Sequence, residues 1–463
     1  YFLFSENMME AQKAYKAHVM VLAYHGQGHI NPMVQFSKRL ASKGIKVTVT
    51  TTLSNVKAMR GGSGSISFED VYDDCAEGGV AGPGGFKGFL DRFEASGSKS
   101  LIELIRKQET SEYPVKCLVY DANIPWASNV SKMLGIVGAA FFTQSCAAVA
   151  LMYPMHCEIS GNPLPLPAFS MSGLPQPRVP NLPSLGSDTG RYPPIIRHIL
   201  SQFDNIEKAD WVLFNSFDSL EEDVVKWMSK LWHVATIGPI VPSAYLDKRV
   251  EDDNGYGFNL YEPETGACMK WLNTKKTGSV VYVSFGSAAS LSADQMAEMA
   301  NALRQISDSF LWVVKPTEES KLPSSFVQET SEKGLVVTWC PQLEVLAHHA
   351  LGCFISHCGW NSTVEAISFG MPVVAMPQFL DQMTNAHFVE HVWEVGVKTM
   401  VDENGLTSGE EIERCIKEVM HGERGHEFKK NALRWKELAR EAIEEGGSSD
   451  RCIGEIIAQL VTT

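Results

Sequence analysis

The chain has 463 residues, a formal net charge of −14, 44% hydrophobic residues and 20% charged residues. That length favours two domains, each large enough for its own core, and the composition is that of an ordinary soluble globular protein. The acidic balance excludes nucleic acid or an anionic membrane as the main partner, although helix ends can still supply local positive potential for a phosphate.

Tyr1 to Met9 lacks the basic region and apolar run of a signal peptide and is left out of the fold. Ala17 to Ala23 reads as a buried parallel strand, followed by His25-Gly26-Gln27-Gly28-His29-Ile30-Asn31-Pro32. Pro32 suits a first helical turn with Asn31 as cap, and the helix continues from Met33 to Ser42, stopping at Gly44. Ile45 to Thr52 is the second strand. This βαβ opening lacks the dinucleotide fingerprint, because Asn31 stands where the third glycine belongs. A nicotinamide oxidoreductase is disfavoured on that ground.

Gly61 to Gly88, rich in Gly, Ser and acidic residues, reads as a flexible surface loop. Phe86 and Phe89 at its end either line an acceptor pocket or are ordinary core aromatics. Lys116 to Tyr120 is a strand that delivers Asp121 at its carboxyl end. Met133 to Cys157 carries no formal charge and is long enough to span a membrane, but Thr143-Gln144-Ser145 interrupts it and Pro154 falls near its end. A buried strand, Ile136 to Phe142, followed by a helix fits better, so no membrane span is expected. Residues 161–194 hold nine prolines and read as an irregular excursion over a cleft.

Trp211 to Asn215 and His233 to Ile237 are the last strands of the first half. Pro242 to Thr265 is polar, carries Glu251-Asp252-Asp253-Asn254-Gly255, and reads as an interdomain linker with no apolar period to bury. A second α/β series begins with the strand Ser279 to Ser287 and continues through Leu311 to Val314 and Leu335 to Thr338. Helices follow at Glu410 to Met420, Gly425 to Glu445 and, past Gly446-Gly447, Asp450 to Leu460. The expected boundaries are residues 15–242 for the first domain, 243–265 for the linker, 266–445 for the second domain and 446–463 for a terminal helix. The ten cysteines form no CxxC pair and no zinc-type spacing, which points to reduced, mostly buried thiols of a cytoplasmic protein.

The chemistry concentrates between Trp339 and Gln382. A buried strand, Gly352 to Ser356, empties into His357-Cys358-Gly359-Trp360-Asn361-Ser362-Thr363 ahead of a helix from Val364 to Phe369. A second apolar run, Val373 to Met376, leads to Asp381-Gln382. Both polar groups therefore arrive at the carboxyl edge of a sheet, where open sheets hold ligands. The first is a phosphate site at a helix N-terminus. The second offers a carboxylate and an amide to grip hydroxyls. With the aromatic face of Trp339, this suggests a nucleotide-sugar.

This 44-residue stretch resembles the sugar-donor box of the plant family 1 UDP-dependent glycosyltransferases of small molecules, and Pro242-Ser243-Ala244-Tyr245-Leu246-Asp247-Lys248-Arg249 resembles the subgroup numbered 74. The resemblance implies an α/β fold in the GT-B arrangement, two Rossmann-like domains facing across a cleft. It also implies inversion at the sugar, UDP-glucose as donor, no metal, and a terminal helix packed back on the first domain. His29 is then the base, kept neutral by the helix dipole, with Asp121 orienting its ring. From spacing alone, His29 reads rather as a polar helix-start residue and Asp121 as a strand-end cap, and it is the resemblance that reverses this.

On the same resemblance, Trp339 and Cys340 hold the uracil, and Gln342 and Glu365 reach the ribose. His357, Gly359, Asn361, Ser362, Gly286 and Ser287 hold the diphosphate. Trp360, Asp381, Gln382 and Thr143 surround the sugar. Competing structural roles are a core aromatic for Trp339, a capping box for Ser362 with Glu365, and a cap on a helix Gln382 to Trp393 for Asp381. His348-His349, Cys353 and Cys358 fit no standard metal set.

Phe379-Leu380 departs from the Trp-plus-small pair common before Asp-Gln, and His25 replaces a residue that is more often proline in the family. Both border the acceptor, with Trp126, Met152 and Phe203 completing an apolar wall unless these are ordinary core. The reading is an enzyme of plant secondary metabolism, acting as a cytoplasmic monomer. It glucosylates lipophilic small molecules, steroids or triterpenoids ahead of phenolics and carboxylic acids. The competing class is a non-catalytic binder of nucleotide-sugars or small ligands.

Overall fold

The computed structural model describes residues 14–52, 55–56, 59, 66–71, 84–164 and 194–462. The chain builds two wholly parallel sheets. The first comprises β1 (His18–Leu22), β2 (Lys46–Thr51), β3 (Ser67–Asp70), β4 (Val115–Asp121), β5 (Val137–Phe142), β6 (Trp211–Phe214) and β7 (Val234–Thr236), in the order β3-β2-β1-β4-β5-β6-β7. The second comprises β8 (Val280–Ser284), β9 (Ser309–Val313), β10 (Gly334–Val337), β11 (Leu351–Ser356), β12 (Val373–Ala375) and β13 (Gly396–Lys398), in the order β10-β9-β8-β11-β12-β13.

The central strands are continuous apolar runs because helices cover both faces. Every residue of β1, β5 and β8 is buried. In each sheet the strand order reverses once, between β1 and β4 and between β8 and β11. A crevice opens at the carboxyl ends of such a pair. The register of β1 on β4 sets Leu22 beside Tyr120, and that of β8 on β11 sets Ser284 beside Ser356. Residues just beyond these four ends are thereby brought together.

The first helix starts earlier than its proline suggested. It spans Gln27–Ser42 with Gly26 as N-cap in extended conformation, so Asn31 is not the cap and Pro32 sits in the second turn. A proline there leaves the carbonyl four residues back without its helical partner. That carbonyl belongs to Gly28, and it accepts instead from Asn361 Nδ2 of the second sheet's domain at 2.7 Å. A tertiary contact thus supplies what the local chain cannot.

The span Gly61 to Gly88, read as a loop, contains β3, paired in parallel with β2, and the start of the helix Gly85–Gln108. Residues 61–65 and 72–83 of that stretch, and 165–193 of the proline-rich one, lie outside the described residues. The uncharged run after Met133 is β5 followed by the helix Cys146–Ile159, whose N-cap Ser145 accepts from Ala148 N. Among the described residues, no helix is long and apolar enough to cross a membrane. The nine described cysteines are free, and eight of them are buried.

The linker does bury groups. Asp253 is 3% exposed, takes the Ser243 N–H at 2.7 Å and pairs with Lys38 of the first helix at 3.0 Å. Gln35 also donates to Asp253, and Asp247 accepts both terminal nitrogens of Arg39. The last helix, Ser448–Thr462, lies against β7. Gln459 Oε1 accepts from the Trp211 indole at 2.5 Å, and Ser449 Oγ donates to the Gly238 carbonyl at 2.5 Å.

Candidate active site

The two crevices face each other across one cavity of about 560 Å³. On the first side His29 lies in the opening turn of its helix, where β1 ends, and Asp121 terminates the neighbouring β4. His29 Nδ1 is 2.7 Å from Asp121 Oδ2, with Thr143 Oγ1 at 3.2 Å from the same nitrogen. Asp121 is fully buried, and its other oxygen accepts from Asn123 N at 2.9 Å and Asn123 Nδ2 at 3.2 Å. The carboxylate is therefore held in one orientation and Nδ1 is committed to it. Nε2 is left as the nitrogen available to an acceptor hydroxyl.

Besides the helix dipole, burial and two carboxylates act on the His29 ring. Burial pulls the His29 pKa down, but the Asp121 charge, its hydrogen bond and the Asp381 charge outweigh burial and raise it above the ordinary value. The carboxylate thus makes the ring a stronger proton acceptor than burial alone would leave it.

On the second side β11 delivers His357, and Cys358, at φ +59°, turns the chain into the helix Trp360–Phe369. Gly286, at φ +67°, follows β8. The three meet tightly. A Cβ on Gly286 would stand 2.7 Å from the His357 ring, and one on Gly359 would stand 2.4 Å from its Nε2. Burial, aided by the Lys315 charge, lowers the His357 pKa to about 4, so this ring is neutral. Its Nδ1 is buried without a hydrogen-bond partner. A neutral imidazole among free helix-end N–H groups suits an anion.

Farther along, Gln342 Nε2 donates to Glu365 Oε2 at 2.6 Å and to Ser362 Oγ at 3.1 Å. Ser362 and Glu365 therefore do not form a capping box. The helix N-cap is Gly359, three residues earlier than that motif requires. Burial lifts the Glu365 carboxyl to about 7. Trp339 lines the cavity beside Tyr261, and Cys340 Sγ lies 3.1 Å from the Tyr282 hydroxyl.

Asp381 also lines the cavity. It makes no cap bond. Its Oδ2 accepts from Asn385 Nδ2 at 3.0 Å, and the helix it precedes ends at His387, passing into a π turn through Val392. Burial raises its pKa to about 6.

Several expected site residues are placed elsewhere. Gln382 does not line the cavity, since its Oε1 accepts from the backbone N–H groups of Gln378 at 2.9 Å and Phe379 at 3.2 Å. Trp360, by contrast, does line the cavity, and its indole N–H donates to the Asn215 carbonyl at 2.9 Å, a bond between the two halves. Of the proposed acceptor wall, among the described residues, only Leu380 lines the cavity. Phe203 is core, packed on Phe142, Tyr153 and Trp232. Trp126 is buried against Phe93, and Met152 packs on the first core. Phe379 packs on the second core. Phe89 stacks on Phe93, and the His25 ring lies against Tyr24 and Phe89. The Phe86 side chain is outside the described residues. An apolar residue in a sequence carries no mark that separates pocket wall from core.

The structure also adds residues that local patterns did not reveal. Tyr256, from the linker, donates to Glu365 Oε1 at 2.8 Å, and Gln27 Oε1 accepts from Leu260 N at 2.9 Å. Tyr24, His198 and Ile199 line the cavity near His29. No periodicity flagged any of these. An aromatic inside a polar linker was the one available signal.

Facing parallel sheets, with a histidine–carboxylate pair opposite a helix-end anion site, define a nucleotide-sugar glycosyltransferase of the GT-B class. The family model for UDP-glucoronosyl and UDP-glucosyl transferase matches residues 242–442. The chain is 46% identical to UDP-glucosyl transferase 74CD1 of Saponaria officinalis, over 97% of this chain and 99% of that protein. It is also 46% identical to mogroside I-E synthase of Siraitia grosvenorii, over 96% and 99%. The crystal structure of Os79 from O. sativa in complex with UDP superposes with a TM-score of 0.84 at 38% identity, over 96% of this chain and 100% of that one. The chain belongs to the plant family 1 UDP-glycosyltransferases and is similar to their subgroup 74.

Proposed function

We propose that the protein transfers glucose from UDP-glucose to a hydroxyl of a lipophilic plant metabolite, with steroid or triterpenoid acceptors favoured and inversion at the sugar. The observation that carries this is the His29–Asp121 pair opening into the same cavity as Trp339, Glu365, His357 and Asp381. Neutral His29 takes the acceptor O–H proton on Nε2 as that oxygen bonds to the anomeric carbon. The bond from that carbon to the β-phosphate oxygen breaks, and UDP leaves with the electron pair. Asp121 stabilises the imidazolium. The departing diphosphate is held by the Gly359–Ser362 helix start, His357 and the Gly286–Ser287 turn, with no metal in the scheme. Asp381 grips the sugar hydroxyls. The relative named as a mogroside synthase supports the favoured acceptor class.

The domain division at residues 242 and 266 belongs to the same reading, as does the terminal helix as part of the first domain. Incubation with UDP-glucose and a panel of steroids, triterpenoids and phenolics, read by mass, tests the assignment. Glucosides of the first two classes are expected. Products from phenolics alone would overturn the acceptor class, and no product from any acceptor, with UDP bound, would leave a binding protein.

A further inference from the structure

The charged side chains other than histidine that line the cavity, among the described residues, are the carboxylates Glu344, Glu365 and Asp381. A diphosphate entering such a site needs positive potential from behind the wall. We propose that Lys315, a buried lysine outside the cavity, is a positioning residue for the donor diphosphate, shaping and charging the Gly286–Leu291 loop. The proposal rests on the UDP-sugar reading of the cavity.

Lys315 follows β9 and is 7% exposed. Its Nζ donates to the carbonyls of Ser287 (3.2 Å) and Ala289, drawing the loop's oxygens inward, away from the face that Gly286, Ser287 and Ala288 present to the cavity. Glu318 holds the far end of the loop, accepting from Leu291 N at 3.0 Å and Ser290 Oγ at 2.8 Å. Two ammonium groups share this single carboxylate, Lys315 at 3.6 Å and Lys321 at 3.4 Å. The cluster therefore keeps a net positive charge in a region of low dielectric. Its field reaches the anion site, because the Lys315 charge is among the influences that keep His357 neutral.

The test compares equilibrium binding of UDP and uridine, by calorimetry and ligand-observed NMR, to the wild type and to Lys315→Gln. The amide can still donate to a loop carbonyl but carries no charge. UDP affinity should fall about tenfold, the scale of one unit charge acting across several ångströms at intermediate dielectric, while uridine affinity stays unchanged. Equal losses for the two ligands, or no loss for UDP, would overturn the proposal. Should that variant not fold, Glu318→Gln removes the neutralising carboxylate yet keeps an oxygen for Leu291 and Ser290. UDP must then bind at least as tightly as to the wild type, and a selective loss of UDP would overturn the proposal. A wild-type protein that binds neither UDP nor uridine would instead sink the donor reading itself.

Discussion

Replacing Asp121 by Asn isolates the charge of the proposed catalytic pair while keeping its shape. In the wild type the His29 pKa is raised above 6.5, so the base form, and with it kcat/KM, should grow as pH rises through a value above 6.5. Burial is the largest influence on this ring and acts downward, while Asp381 is the weakest of the upward ones. Removing the Asp121 charge and its ionic hydrogen bond leaves burial dominant, so the variant's His29 should titrate below 6.5. Each unit of that movement is a tenfold change in the base fraction, about 1.4 kcal/mol. At the plateau the rate should still fall by roughly 10²–10⁴, because the imidazolium loses its counter-charge and the ring its fixed tautomer.

The assay is UDP release against pH, from about 5.5 to about 9, with the best acceptor from the panel and with UDP affinity measured in parallel. An acid limb that stays in place, or a plateau that does not drop, would refute the pairing as the source of base strength. Linkage gives a second readout. A histidine with a raised folded-state pKa stabilises the fold below its unfolded pKa, and loses that contribution as pH rises through the folded value. The Asn variant should therefore lose stability at acid pH relative to the wild type, and less so at alkaline pH.

His29→Ala should lower turnover by roughly 10²–10⁴ while UDP binding barely changes, and unchanged turnover would remove His29 from the role. The Glu365 carboxyl, lifted to about 7, should make UDP binding weaken as pH falls through that value. Tyr256→Phe deletes a hydrogen bond that favours the ionised form, so the midpoint of that pH dependence should move up; calorimetry across pH reads both. Gly359→Ala puts a methyl 2.4 Å from His357 Nε2 at a φ of −58° that alanine accepts, so the His357 ring must shift; unfolding should show a loss of about 1–3 kcal/mol and calorimetry a weaker binding of UDP. Asp247→Ala leaves the Arg39 guanidinium buried without its carboxylate, and thermal or denaturant unfolding should show a loss of about 3–5 kcal/mol.

The strands were legible because parallel strands covered on both faces must be apolar along their length, and β1, β4, β5, β8 and β11 are such runs. The donor stretch was legible because a strand end, a glycine turn and a helix start fall within a few consecutive residues. The misreadings occurred where a local signal was answered by a distant partner. Pro32 looked like a helix start, yet Asn361 rescues the carbonyl that Pro32 leaves open. Ser362 and Glu365 have capping-box spacing, yet both point at Gln342. Asp253 looked like a solvated linker acid, yet Lys38 and Ser243 make its burial tolerable.

From the sequence came the α/β class and the division into two halves, because periodicity and residue type are local properties, while the residues able to do chemistry were picked out by the resemblance to a known family. Tertiary structure supplies the physical reason that they meet. His29 and Asp121 are 92 positions apart and become partners only because β1 lies beside β4. The same proximity sets the protonation of His29, since burial and a neighbouring carboxylate oppose one another and only their distances determine which prevails.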